Sequence, residues 1–244
     1  RSEEVTHTFL ANGLPLPRWL LRPIVVKRQQ DVHLKANGIV SPAHARQMED
    51  LYLDTLDLLQ PILQKRPFLF GDRPCEADIG LFGPMFPHFG CDPTPQEIMR
   101  NKAPTVYEWV ARMWRAKDQG PPEFVTTIPD DTASLLREIC ETHLVQLGAN
   151  LDGFATGQPR FDMTVQGCRY KSIATSRYRV WCLEELHRRF AALTDHDQAA
   201  VRELLPYDHA KILWQSERPA QSGFNQDRRL PFGPAINVFD GGLP

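Results

Sequence analysis

Cys75 and Asp78 are the residues whose types and spacing most directly imply a chemical task. A carboxylate three residues past a helix cap can accept the cap residue's backbone N–H, the return arm of a capping box. The forward arm wants Ser or Thr, and Cys75 is a weak hydrogen-bonding group in that place. The pair therefore implies a helix-starting carboxylate with a cap weakened by about 1 kcal/mol. Other groupings are less specific. His88-x-x-Cys91 has a metal-like spacing, but a zinc site needs about four ligands. No second pair lies near it, so a loop His and Cys with separate jobs is the simpler reading. Asp195-His196-Asp197 sets carboxylates beside an imidazole and reads as a polar turn between helices. Glu184-Glu185 and Arg188-Arg189 read as solvated helix faces rather than an acid–base pair or an anion site. The chain has no G-x-S-x-G elbow, no H-E-x-x-H and no phosphate loop.

The elements that must position Cys75 and Asp78 are legible as patterns. The pair lies in Phe68-Leu69-Phe70-Gly71-Asp72-Arg73-Pro74 and Cys75-Glu76-Ala77-Asp78-Ile79-Gly80-Leu81-Phe82, an aromatic turn running into a helix start. Upstream, Ser41-Pro42 supplies a capping hydroxyl and then a proline at the first helical position. Met48, Leu51, Tyr52, Thr55, Leu56, Leu59, Ile62 and Leu63 recur at helical intervals, with Asp50, Asp54 and Asp57 off that stripe. Pro61 is expected to kink the last turn and Pro67 to stop the helix. After Asp78, Gly80, Gly83 and Pro84 lower helix propensity and leave room for another helix to approach. Pro87, Gly90, Pro93 and Pro95 read as turns. Ala103-Pro104 opens a short helix with Val106, Trp109, Val110, Met113 and Trp114 on one face.

Gly120-Pro121-Pro122 reads as a boundary. Beyond it, Leu135, Leu136, Ile139, Cys140, His143, Leu144, Leu147, Leu151 and Phe154 make a second long stripe, ended by Gly157 and Pro159. Alternation at Phe161, Met163 and Val165, then at Cys168 and Tyr170, predicts a hairpin with a two-residue Gln166-Gly167 turn. That turn sets Val165 beside Cys168 and Met163 beside Tyr170. Tyr178, Trp181, Cys182, Leu186 and Phe190 mark another helix. From Ser216 onward Pro and Gly rule out a long helix, yet Phe224, Leu230, Phe232, Ile236, Val238 and Phe239 are too apolar for a solvated tail. The tail is expected to lie against a surface, its own or a partner's.

The totals set bounds. The chain has 244 residues, 42% hydrophobic and 24% charged, enough for one sizeable core or one core with an appendage. A formal net charge of −2 argues against a general nucleic-acid binder. Five cysteines, at 75, 91, 140, 168 and 182, form no C-x-x-C pair. Such a set fits reduced thiols in the cytoplasm or another reducing compartment, an organellar matrix included. Arg1 in place of Met points to a processed or cut start, and Arg1–Gly13 lacks the apolar run of a signal peptide. Leu20–Val26 is interrupted by Arg22 and Pro23, far short of the roughly 20 apolar residues of a membrane span. Leu14–Arg28 mixes apolar and basic residues as a membrane-surface helix does. Pro15, Pro17 and Pro23 break that face and favour a first helix docked on the core.

The Phe68–Phe82 stretch resembles the "FLFGD…ADI" signature of the C-terminal helical domain of glutathione transferases. The run "AP-x-V-x-x-W-V-x-R-M" from Ala103 to Met113 is similar to a late helix of the same domain. The helix, hairpin and "YRVWCLEEL" order at Tyr178–Leu186 resembles an extension found in a subgroup of bacterial-type relatives. The resemblance spans roughly residues 15–215 and is strongest at 66–114. It implies a mainly helical, all-α fold: a helical bundle at 1–119 and a helix, β-hairpin and helix extension at 120–215. From Ser216 to Pro244 the resemblance fails, and the Pro and Gly there read as an irregular tail at 216–244. It also implies a structural role for Asp78, bonded to the backbone at its own helix start.

In that family a thioredoxin-like domain comes first and carries the glutathione chemistry. Here the residues before the signature show no such strand pattern, so the resemblance places no catalytic residue in this chain. Glutathione is implied as a cofactor only where the parent protein has that domain, and no metal is implied. The helical domain supplies the acceptor pocket for hydrophobic electrophiles, which makes Trp19, Met48, Tyr52 and Phe86 the candidate substrate contacts. Aromatic and Met residues at helical spacing are more often core. The expected function is the acceptor part of a glutathione transferase-like protein, or a non-catalytic docking subunit of a larger assembly. The expected partners are the missing N-terminal domain, a protein partner, or a second copy in a homodimer.

Overall fold

Ser41 opens the first long helix as its sequence requires: its hydroxyl accepts the His44 backbone N–H at 3.3 Å and Pro42 takes the first helical position. The computed structural model describes residues 27–28, 31–32, 34–35, 37–117, 120, 123–214 and 221–224. Helix α1 (Pro42–Lys65) runs on through Pro61 and buries Leu56, Leu59, Ile62 and Leu63, while Asp50, Asp54 and Asp57 are exposed. Helix α2 (Glu76–Pro84) passes directly into a π-helical segment, Met85–Gly90. Helix α3 is Pro93–Lys102 and helix α4 is Pro104–Trp114. The chain is mostly helical, with a small two-stranded antiparallel sheet among the described residues.

The prolines expected to make turns at 87, 93 and 95 do not. Pro87 sits inside the π segment, whose wider turn accommodates a residue without an N–H. Pro93 and Pro95 lie in the first turn of α3, where a backbone N–H has no intrahelical acceptor.

Two units divide the chain, Arg1–Arg137 and Glu138–Pro244. In the first, α1 packs against α4, and α3 packs against both α4 and the π segment. Trp109, Met99, Val106, Leu69 and Met85 fill the core between them. Residues 123–125, which follow the Gly120-Pro121-Pro122 break, belong to this unit. Phe124 bridges Gly71, and the Val125 N–H bonds the Phe70 carbonyl at 2.9 Å. A Cβ on Gly71 would meet the Glu123 carbonyl oxygen at 2.3 Å, so only glycine allows this approach.

The second unit contains helix α6 (Val145–Ala155), strands β1 (Arg160–Val165) and β2 (Cys168–Ala174), and helices α7 (Arg177–Ala191) and α8 (Asp195–Leu204). The stripe read as one helix from 135 to 154 is helix α5 (Ala133–Ile139), a π segment (Cys140–Leu144) and α6 end to end. The hairpin has the expected register: Val165 faces Cys168 and Met163 faces Tyr170. Gln166 and Gly167 both take positive φ, 48° and 79°, as a two-residue hairpin turn requires. Gly153 lets the hairpin sit on α6, because a Cβ there would meet Phe161 Cβ at 3.2 Å.

One reading changes in this unit. Asp195–Asp197 form the first turn of α8 rather than a loop; Thr194 caps it by accepting the Asp197 N–H at 3.2 Å. Carboxylates there complement the positive end of the helix dipole. On α7 the buried residues are Val180 and Leu183, not the aromatic stripe, and Tyr178 is 53% exposed. No described helix is long and apolar enough to cross a membrane.

Candidate functional site

Asp78 is fully buried at the start of α2, and each of its oxygens is used. Oδ2 accepts the Cys75 backbone N–H at 3.1 Å and the Cys75 thiol at 3.1 Å. Oδ1 accepts the Leu69 N–H at 3.0 Å and the Trp109 indole Nε1–H at 3.0 Å. The carboxylate thus ties together its own helix start, the aromatic turn and α4. Buried carboxylates persist only when hydrogen-bonded in this way. The Leu69 peptide is held from its other side as well, since Arg66 Nε donates to the Leu69 carbonyl at 2.6 Å. Arg66 also grips Asp131 through two hydrogen bonds, at 3.0 and 2.8 Å. That bidentate guanidinium, aided by Lys65, holds the Asp131 carboxyl below its ordinary range.

Cys75 occupies the cap with extended backbone and closes a capping box: its sulfur accepts the Asp78 backbone N–H while Asp78 accepts the Cys75 N–H. Its thiol hydrogen is donated to Asp78. Burial and that hydrogen bond push the thiol pKa up, the opposite of what a nucleophilic or metal-binding thiolate needs. Cys91, by contrast, is exposed. Alkylation with iodoacetamide at about pH 8 should modify Cys91 first and Cys75 at least roughly tenfold more slowly, as read by peptide mass spectrometry. Equal rates would contradict the Asp78 contact.

Three of the four candidate substrate contacts, Met48, Tyr52 and Phe86, fall within the described residues. Trp19 lies outside the described residues. Tyr52 donates its hydroxyl to the Pro95 carbonyl at 2.8 Å and stacks on Phe89 at 4.4 Å, and burial raises its pKa to about 12. It braces α1 against α3. Met48 is half-buried on α1. Phe86 sits in an open aromatic array, stacked between Phe82 at 5.3 Å and Trp114 at 4.5 Å.

That array belongs to an apolar face along α2 and the π segment. Ile79 is 62% exposed and Trp114 66% exposed. A Cβ on Gly80 or Gly83 would meet nothing within 4 Å. No charged residue lies between Ile79 and Pro87. The room expected beside these glycines is therefore present, and no described element fills it. A separate cleft of about 490 Å³ is lined by Arg73, Arg112, Arg115 and Lys117 with Asp72 and Glu108, and by neither Met48, Tyr52 nor Phe86. Among the described residues no group of three or more His, Cys, Asp or Glu is placed to hold a metal ion.

Sequence reasoning placed Asp78 at the cap but missed its long-range partners. Trp109 was visible only as one member of an apolar face. Its indole N–H, which needs an acceptor when buried, is the signal that could have joined the two motifs. No family model, curated protein or solved structure matches the chain.

Proposed function

We propose that the first unit is the helical half of a glutathione transferase-like protein, and that it contributes an apolar wall for a hydrophobic electrophile. The observation that supports this most is the Phe82, Phe86 and Trp114 array, which lies beside the uncharged, uncovered face of α2. The Asp78 network supports it too, since the residues of the resemblance are joined through one carboxylate. In this reading the glutathione thiolate forms on a thioredoxin-like domain of the parent protein. The aromatic wall then holds the electrophile, and catalysis comes from orienting the two reactants. No group in the first unit is given a bond-making role.

A non-catalytic docking subunit is the second reading. It is favoured by Tyr52, whose hydroxyl is committed to the Pro95 carbonyl and braces two helices. The parent protein, assayed with glutathione and an aromatic electrophile, separates the two. Under the enzyme reading, Phe86→Ala with Trp114→Ala should raise the electrophile KM by about 10-fold and leave the glutathione KM unchanged. A parent that neither binds glutathione resin nor conjugates any electrophile overturns the enzyme reading.

A further inference from the structure

Gln221–Phe224 of the tail lies on the outward face of α7 in a set of directed contacts. Glu184, expected to be solvated, accepts two hydrogens from Ser222: its backbone N–H and, at 2.6 Å, its hydroxyl. Arg177 donates Nε to the Ser222 carbonyl and Nη2 to the Gly223 carbonyl. The Phe224 N–H turns back to Ser222 Oγ at 3.1 Å. Gly223 has φ 60°, a left-handed conformation that glycine takes without a Cβ penalty. The Phe224 ring lies 5.6 Å from Tyr178 and 5.9 Å from Trp181, with the Arg177 guanidinium 5.8 Å from its centroid. Ser222 is only 6% exposed although it belongs to a surface segment.

We infer that this face of α7 is a recognition site for a linear Ser-Gly-aromatic element, filled in this chain by its own tail and open to the same element from another polypeptide. Among the described residues, three consecutive ones supply these contacts: one N–H, two carbonyls, one hydroxyl and one ring. None of these depends on a fold in the ligand, so an extended peptide of the same sequence can make them all. The ionised partners, Glu184 and Arg177, strengthen hydrogen bonds to main-chain groups. Selectivity comes from the left-handed glycine, the buried hydroxyl and the aromatic wall. The inference stands apart from the assignment of the first unit, because every residue in it belongs to the second.

A tethered occupant competes at an effective concentration of about millimolar. A labelled peptide with the sequence of residues 219–225 should therefore bind the full chain weakly. It should bind at least about tenfold more tightly to the full chain carrying Ser222→Asp and Phe224→Ala, whose own tail no longer fits. Fluorescence anisotropy reads both. Adding Glu184→Gln to that chain should weaken peptide binding, with circular dichroism confirming an unchanged fold. The same peptide phosphorylated on its serine should bind neither chain, because a dianion would face Glu184. That arm needs no further change to the protein, so misfolding cannot mimic it. Equal peptide affinity for the wild-type and tail-variant chains, or equal binding of the phosphorylated and plain peptides, would overturn the inference.

Discussion

Asp78→Ala should destabilise the first unit by about 4 kcal/mol, the largest effect expected of any single substitution there. The change removes the acceptor for the Leu69 N–H, the Cys75 N–H and the Trp109 indole at one stroke. Each buried donor left without a partner costs about 1–3 kcal/mol, and alanine offers no replacement. In urea this corresponds to a midpoint lower by about 2 M for a domain of ordinary denaturant sensitivity, read by tryptophan emission. Asp78→Asn should fall between the two. Its remaining oxygen can still accept from Leu69 and Trp109, but its amide would point hydrogens at the Cys75 N–H and thiol. A midpoint for Asp78→Ala equal to wild type would show that these contacts carry no stability.

The parts of the fold legible in the sequence are those that local chemistry decides. Ser41-Pro42 can start only one kind of element, and the apolar stripe behind it repeats long enough to commit α1. The Gln166-Gly167 turn fixes the hairpin register, because a two-residue loop leaves the strands one way to pair. The cap relation between Cys75 and Asp78 is likewise local. The partners that give Asp78 its weight come from residues 9 and 31 positions away, and no local rule reaches them. Tyr178 and Trp181 marked helix α7 correctly but not what their rings meet. They form the wall on which Phe224 rests, and that residue lies far downstream. Glu184 looked like a solvated face because its partner, Ser222, is 38 residues downstream.

Asn150→Leu should be the most damaging change in the second unit, at about 3 kcal/mol. Asn150 is fully buried in a stripe otherwise read as apolar. Its Oδ1 accepts the Ser176 backbone N–H at 2.7 Å and its Nδ2 donates to the Ser176 carbonyl at 3.0 Å. The amide therefore treats Ser176 as one strand treats another, satisfying both main-chain groups of a single residue. Ser176 is the cap of α7, and its hydroxyl accepts the Arg179 N–H at 3.4 Å. Loss of Asn150 thus leaves the Ser176 N–H unmatched and the Ser176 carbonyl with only the Val180 N–H, at 3.4 Å, where α6 meets the start of α7. Leucine is nearly isosteric, so the loss measures the hydrogen bonds rather than a cavity. Asn150→Asp sharpens the test through pH. An ionised carboxyl at 150 would still accept the Ser176 N–H, but its second oxygen would face the Ser176 carbonyl. Only the protonated form can donate there, so its folded-state pKa is raised. The variant should approach wild type near pH 4 and lose stability as pH rises toward about 8. Urea midpoints across that range decide it, and a pH-independent difference from wild type would rule out the paired geometry.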